Sequence, residues 1–363
     1  LMISTFSSTI RRKEMDAVLT CMVDEKLGPG ELNAKLVQSV KENLGCDGAV
    51  AFRSPAIALF YALKAIGLEN GSAVMVSALA PSWHYVILNQ LGFKPLVVDV
   101  DEENGLMSFE SIEQGVKNGG RAVLFHETMG ILPDFEKLLS LNIPVIEDIS
   151  HSFGASVPAS SSNAEEAEVS ENGSEKKNDG KKAGTFGVYS IIGMEDHDTI
   201  TSGGGAVLVA PSRREWIVLK KLAEEAPETD ILTDMNSALG FIQIKEFARN
   251  EAARKTIFEI FQKSLMSGKN RTFARSSSEN STVWSFPVVL ESSFKDVKQY
   301  SSKKEIEVRL AYEKSVISLF EDEERSSYIH AKSLFLRTAL FPLYPRLGSE
   351  AVSKIAKVLG TLP

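Results

Sequence analysis

Residues 48–150 alternate short apolar runs with amphipathic stretches, and this alternation constrains the fold more than any other feature. "GAVAF" reads as a buried strand and "SPAIALFYALKAIGL" as a helix opened by Ser54-Pro55. "AVMVSAL" is then a strand and "PSWHYVILNQLG" a helix. "KPLVVDVD", "RAVLFH" and "PVIEDIS" continue the strands, with helices at "SFESIEQGVKNG" and "DFEKLLSLN". Repeated β-α-β units with short connections build an α/β fold with a mainly parallel sheet, covered by helices on both faces. Ligands of such sheets sit beyond the carboxyl ends of the strands. That rim carries "HETMG" after Phe125, "EDISHS" after Ile146 and the turn at Ala80-Pro81.

The flanks read differently. "EMDAVLTCMVDE" places Met15, Val18, Leu19, Met22 and Val23 on one side of a helix, and a second amphipathic helix stops at Gly45. Residues 158–179, rich in Ser, Glu, Asn and Lys, cannot bury enough surface to offset their ordering entropy and read as a disordered insertion. Its ends, near Val157 and Ala183, should lie close together. Beyond Ala210 a helix at "RREWIVLKKLAEEA" precedes a long one through residues 236–265, with Leu239, Ile242, Phe247, Ile257 and Phe261 as its core-facing stripe. "TVWSFPVVLE", "EIEVRLAY" and "FLRTALFPLYP" suggest strands, and "GSEAVSKIAKVLG" a closing helix. The expected division is a large domain over 1–235 and a small C-terminal α+β domain over 236–363.

A net charge of −8, with Lys and Arg scattered, argues against a nucleic-acid surface. No apolar run approaches the roughly 18 residues that span a bilayer, and no signal peptide opens the sequence, so a cytoplasmic protein is expected. Cys21 and Cys46 lack metal-ligand spacing and read as free thiols. No His or Cys pair has metal spacing, so no metal site is expected, and no Walker loop, G-x-S-x-G elbow or helix-opening G-x-G-x-x-G is present.

The chain resembles the DegT/StrS family of sugar aminotransferases, pyridoxal-phosphate enzymes of fold type I. The resemblance rests on the order and spacing of "ALFYALKAIGL", "LGFKPLVVDVDEENGLMSFESIE", "PVIEDISHSFGA", "GGGAVLV" and "FPLYPRL". It implies pyridoxal phosphate as cofactor, a nucleotide-sugar-like ligand, and a homodimer with active sites at the subunit interface. The cofactor's chemistry makes four demands: a carboxylate for the pyridine nitrogen, a ring cover, phosphate donors at a helix start, and a Schiff-base lysine.

By the resemblance, Asp148 is the pyridine-binding acid and His151 stands where Gln or His contacts the ring hydroxyl. Trp83 lies near the ring-stacking position, with His84 as the alternative. The phosphate cradle departs from the family pattern. Ser54-Pro55-Ala56 replaces Ser-Gly-Thr, so one N–H and one hydroxyl are lost. Arg53 would be a substitute cation, and Ser190 matches the family's hydroxyl donor. The cross-subunit Asn-Tyr-Arg-like stretch is replaced by Thr229, Asp230 and Ile231.

The lysine position, in "GVYSIIGMEDHDTITSGGGAVLVA", falls on Glu195 counted from Ser190 and on His197 counted back from Gly203. Neither supplies an amine, and Lys181 and Lys182 precede the strand. Family members with His at this place are deoxysugar dehydratases, which makes His197 the candidate catalytic residue; an exposed polar turn is the plainer reading. Three readings follow: a catalytically impaired relative that keeps the fold, a working transaminase or His-based dehydratase, or a non-enzymatic scaffold.

Overall fold

The computed structural model describes residues 2–158, 180–276 and 280–363 of the 363-residue chain. Its strands are Gly48–Phe52 (β1), Ala73–Ser77 (β2), Lys94–Val98 (β3), Gly120–His126 (β4), Val145–Asp148 (β5), Ser156–Val157 (β6), Lys181–Lys182 (β7), Tyr189–Gly193 (β8), Ala206–Ala210 (β9), Phe286–Val289 (β10), Arg309–Leu310 (β11) and Thr338–Phe341 (β12). The main sheet runs β1-β9-β8-β5-β4-β2-β3. Its β8-β5, β5-β4, β4-β2 and β2-β3 pairs are parallel, whereas β9 is antiparallel to both neighbours. The expected α/β architecture is therefore present, and its parallel strands are apolar on both faces because helices cover both.

Helices Arg12–Val23 (α1), Glu31–Leu44 (α2), Pro55–Ile66 (α3) and Ser82–Gln90 (α4) open the chain. Helix α3 starts as expected: Ser54 caps it by accepting from the Ile57 N–H at 3.2 Å, and Pro55 takes the first position, where no N–H is missed. Two hydrophobic cores flank the sheet. One holds Phe52, Leu59, Leu63, Val76 and Ile191 under α3. The other spans Leu36, Phe125, Ile149 and Phe153 and takes in Tyr312, Val316 and Leu340 from the C-terminal part. A third core gathers Ile257, Phe261, Phe286, Phe341 and Ile355 behind β10-β12-β11.

Three details depart from the sequence expectation. The single long helix is two, Asp234–Lys245 and Phe247–Leu265, broken at Glu246, so Leu239 and Ile242 are only half-buried while Ile257 and Phe261 enter the third core. "FLR" belongs to helix Ile329–Arg337 rather than to a strand. The apolar stripe of α1 faces outward, with Met15 at 56%, Leu19 at 57% and Met22 at 57% exposure, while Glu14 and Cys21 point in. The expected disordered stretch, 158–179, lies outside the described residues except for Pro158. Its ends do meet, since Val157 pairs with Lys181 in an antiparallel ribbon. Among the described residues no helix is long and apolar enough to cross a membrane.

The "HETMG" turn after β4 requires two consecutive left-handed residues, Met129 at φ 57° and Gly130 at φ 77°. A Cβ on Gly130 would stand 2.1 Å from the Thr282 carbonyl oxygen, so the backbone itself blocks a side chain there. Gly130→Ala should therefore cost roughly 2–4 kcal/mol in chemical denaturation. A change below about 0.5 kcal/mol would show that the turn relaxes freely.

Candidate active site

The β4 and β5 strands end in register, with His126 opposite Asp148. Parallel pairing thus brings together two side chains 22 residues apart in sequence. Asp148 is almost wholly buried, and both of its oxygens are engaged by the chain. Oδ1 accepts from the Ser150 N–H at 3.1 Å and from Ser150 Oγ at 2.5 Å. Oδ2 lies 2.8 Å from His84 Nε2 and 3.0 Å from His126 Nδ1. With hydrogens assigned to suit, each imidazole donates to that oxygen.

Burial pushes the Asp148 carboxyl up, but the two imidazoles outweigh it and hold the acid well below the usual carboxylate range. Burial lowers His84, with Asp148 opposing, and the other nitrogen of His84, Nδ1, is buried without a partner. His151 is pushed well below the usual imidazole range, first by burial and then by His126. Its Nδ1 accepts from the Met129 N–H at 3.3 Å, and its ring lies flat on Trp284, centroids 3.7 Å apart. Behind the floor, Glu147 accepts the N–H groups of Gly184, Phe186 and Gly187. Glu127, bonded to Ser152 Oγ, is raised well above the usual range by burial and by Glu147.

These groups floor a cleft of about 290 Å³. Phe6, Trp83 and Trp284 supply aromatic walls, Arg309 stands in β11 and Lys314 on the loop that follows it. Trp83 meets His84 edge-on at 4.2 Å. The Met194–Gly205 hairpin contributes Glu195, Asp196, His197 and Asp198. His197 stacks on Phe6 with centroids 4.4 Å apart, its Nε2 stands 3.5 Å from Asp196, and its carbonyl accepts from Trp284 Nε1 at 2.7 Å. The Asp198 carboxyl accepts the Glu195 N–H at 2.8 Å and is pushed up to about 8, first by burial, with Asp148 and Glu195 adding to the rise.

The residues singled out from sequence divide. Asp148, His151, Trp83 and His197 come together in the cleft. Ser54 and Ser190 do not line it. Ser54 Oγ is spent on the cap of α3, and the fully buried Ser190 Oγ donates to the Gly184 carbonyl at 2.9 Å. Arg53 donates its Nε to the Ile231 carbonyl, and Asp230 accepts from Tyr61 Oη at 2.9 Å. His126 carried no signal in the sequence beyond its place at a strand end. His84 was visible only as an alternative to Trp83. Their convergence on Asp148 needs the folded register, which sets His84, His126 and Asp148 with three donor atoms within 4.8 Å of one another, a grouping that no spacing in the sequence marks.

The model of the DegT/DnrJ/EryC1/StrS aminotransferase family matches residues 8–360. A GDP-perosamine synthase of Escherichia coli O157:H7 is 22% identical, over 98% of this chain and 97% of that protein. A dTDP-4-amino-4,6-dideoxy-D-glucose transaminase of Escherichia coli is also 22% identical, over 91% and 90%. Among solved structures, a putative sugar aminotransferase from Streptococcus pneumoniae in its PMP form superposes with a TM-score of 0.84 at 16% identity, covering 99% of this chain and 97% of that one. A histidine-to-asparagine mutant of a GDP-4-keto-6-deoxymannose-3-dehydratase with bound GDP-perosamine gives 0.81 at 17%, covering 98% and 99%.

Asp198 supplies a pH test. Its folded pKa lies above the unfolded value of about 3.9, so its contribution to stability is complete below that value and is lost as pH rises through about 8. Melting temperatures taken between these limits should fall more steeply for the native chain than for Asp198→Asn. Parallel profiles would mean that the carboxyl is ionised when folded.

Proposed function

The chain belongs to the DegT/DnrJ/EryC1/StrS aminotransferase family, and from that membership we propose that it is a catalytically impaired relative which keeps a sugar-nucleotide cleft. The observation that carries this reading is the saturation of Asp148. A carboxylate offers about four lone-pair sites, and here Ser150, His84 and His126 use them all. A pyridine N–H has no acceptor left unless an imidazole is displaced. Two of the cofactor's other three demands, the amine and the phosphate donors, point the same way.

The hairpin at the lysine position presents carboxylates and an imidazole but no amine. Pro55 has no N–H to offer a phosphate, Ser190 Oγ donates to the Gly184 carbonyl, and Ser54, the cap of α3, does not line the cleft. Trp83 alone remains positioned to cover a ring. The donor set therefore does not fit pyridoxal phosphate. What the cleft keeps is a binding chemistry: aromatic walls for a base or sugar face and the cations Arg309 and Lys314 for a diphosphate.

A second reading, a dehydratase working through His197, is favoured by one fact: this imidazole lines the cleft from the lysine-position hairpin. Its stack on Phe6 holds it at the rim beside Asp196. That reading still requires the cofactor to bind.

Pyridoxal phosphate added to the purified protein should produce no Schiff-base band and no borohydride-fixed label. GDP- or dTDP-linked deoxysugars should quench the fluorescence of Trp83 and Trp284. A Schiff-base band with measurable transamination would sink the proposal. Bound cofactor without a Schiff base, together with dehydration abolished by His197→Ala, would replace it with the second reading.

We also propose a homodimer in the cytoplasm, supported by the family membership and by the outward apolar stripe of α1. Sedimentation should give a dimer, and Leu19→Glu combined with Met22→Glu should shift it toward monomer. A native monomer at micromolar concentration would refute the arrangement.

A further inference from the structure

Histidine is scarce in this chain, yet four of its five histidines stand in or against one cleft. His126, His151 and His197 line it, and His84 backs Asp148. His84 Nε2, His126 Nδ1 and Asp148 Oδ2 lie within 4.8 Å of one another, and none of the three residues is more than 3% exposed. We propose that His84, His126 and Asp148 form a binding site for a first-row divalent transition-metal ion, with Zn²⁺ as the probe. The proposal goes beyond the loss of transamination and needs from it only that no pyridine ring holds Asp148.

The donor set carries the choice of ion. Two imidazole nitrogens and one carboxylate oxygen, without sulfur, suit Zn²⁺, Co²⁺ or Fe²⁺ rather than Ca²⁺ or Mg²⁺, which favour all-oxygen shells. Ligands about 2.0–2.1 Å from a tetrahedral ion stand roughly 3.3 Å apart. The two imidazole nitrogens lie 2.8 Å and 3.0 Å from the shared oxygen and within 4.8 Å of each other, so admitting an ion requires both contacts to open by a few tenths of an ångström and the two rings to turn from the oxygen toward one point.

Each ring must ligate as a neutral imidazole through the nitrogen that now faces Asp148, so on binding the cation replaces the proton there and the ring carries its proton on its other nitrogen, Nδ1 of His84 and Nε2 of His126. His126 and Asp148 face the cleft, which provides the entry path and leaves further coordination positions for water or a ligand oxygen. An outer shell is already in place, because Ser150 N–H and Oγ fix the other oxygen of Asp148.

The test titrates ZnCl₂ into the full-length, chelator-dialysed protein at neutral pH by calorimetry, with metal content measured after gel filtration. One ion per chain is expected. His126→Ala and Asp148→Asn should weaken binding by more than the roughly 100-fold that loss of an outer-shell partner costs. Because either variant risks misfolding, X-ray absorption of the zinc-loaded native chain gives an independent reading. A shell of nitrogen and oxygen with imidazole scattering is expected. Failure of zinc to bind the native chain overturns the proposal, as does sulfur in the shell, which would implicate Cys21 or Cys46. Adding pyridoxal phosphate to the same metal-free sample separates the two ideas. A Schiff-base band defeats the proposed loss of function, whereas absence of both band and zinc defeats only the metal site.

Discussion

One buried carboxylate organises the floor of this cleft. An ionised acid taken out of water is costly unless its lone pairs are met, and the penalty reaches several kcal/mol for an ion left uncompensated. Asp148 meets that demand entirely from within the chain, through the end of β4, the start of α4 and the turn at Ser150. Those three segments are consequently tied to one oxygen pair, which fixes where the strands end and where α4 begins. A cofactor enzyme of this architecture must leave part of such an acid for its pyridine ring. Here Ser150, His84 and His126 meet both oxygens, so the acid is electrostatically complete within the chain.

The fold was legible because its signals are local. Strand runs, helix caps such as Ser54 and the stop at Gly45 each depend on residues a few positions apart. The site was only half legible because its contacts are not local. The pair His84–Asp148 spans 64 residues and His126–Asp148 spans 22, so no spacing rule marks them. Ser190 fits the motif by its position in the sequence, yet its hydroxyl bonds the Gly184 carbonyl and does not line the cleft. The outward face of α1 likewise has correct helical periodicity without a partner in the same chain, since periodicity reports which residues share a side and not what covers it.

The upper part of the cleft depends on segments remote from the sheet. The N-terminal strip pairs with the chain near Glu305 and Glu307, which places Phe6 against His197. Trp284 bridges His151 and the hairpin by stacking on one and donating to the carbonyl of His197. These contacts hold the lysine-position hairpin through rings and backbone. Its acidic side chains need no catalytic partner to keep its shape, and the segment could lose its amine without losing its fold.

The same oxygen of Asp148 frames the remaining question of chemistry. Positive charge can reach it as a pyridinium, as two imidazole protons or as a divalent cation, and these are mutually exclusive because they use the same lone pairs. The chain has installed the second solution with residues that also serve the third. His84 decides between the first and the others. Its side chain fills the fully buried space beside the acid, so an aliphatic residue there would return one lone pair of Oδ2 to whatever enters the cleft. An amine at the hairpin would decide only whether a covalent bond forms, whereas His84 occupies the acid itself. In physical terms an occupied acid is the stronger barrier to a pyridine ring, because it acts before any covalent chemistry begins.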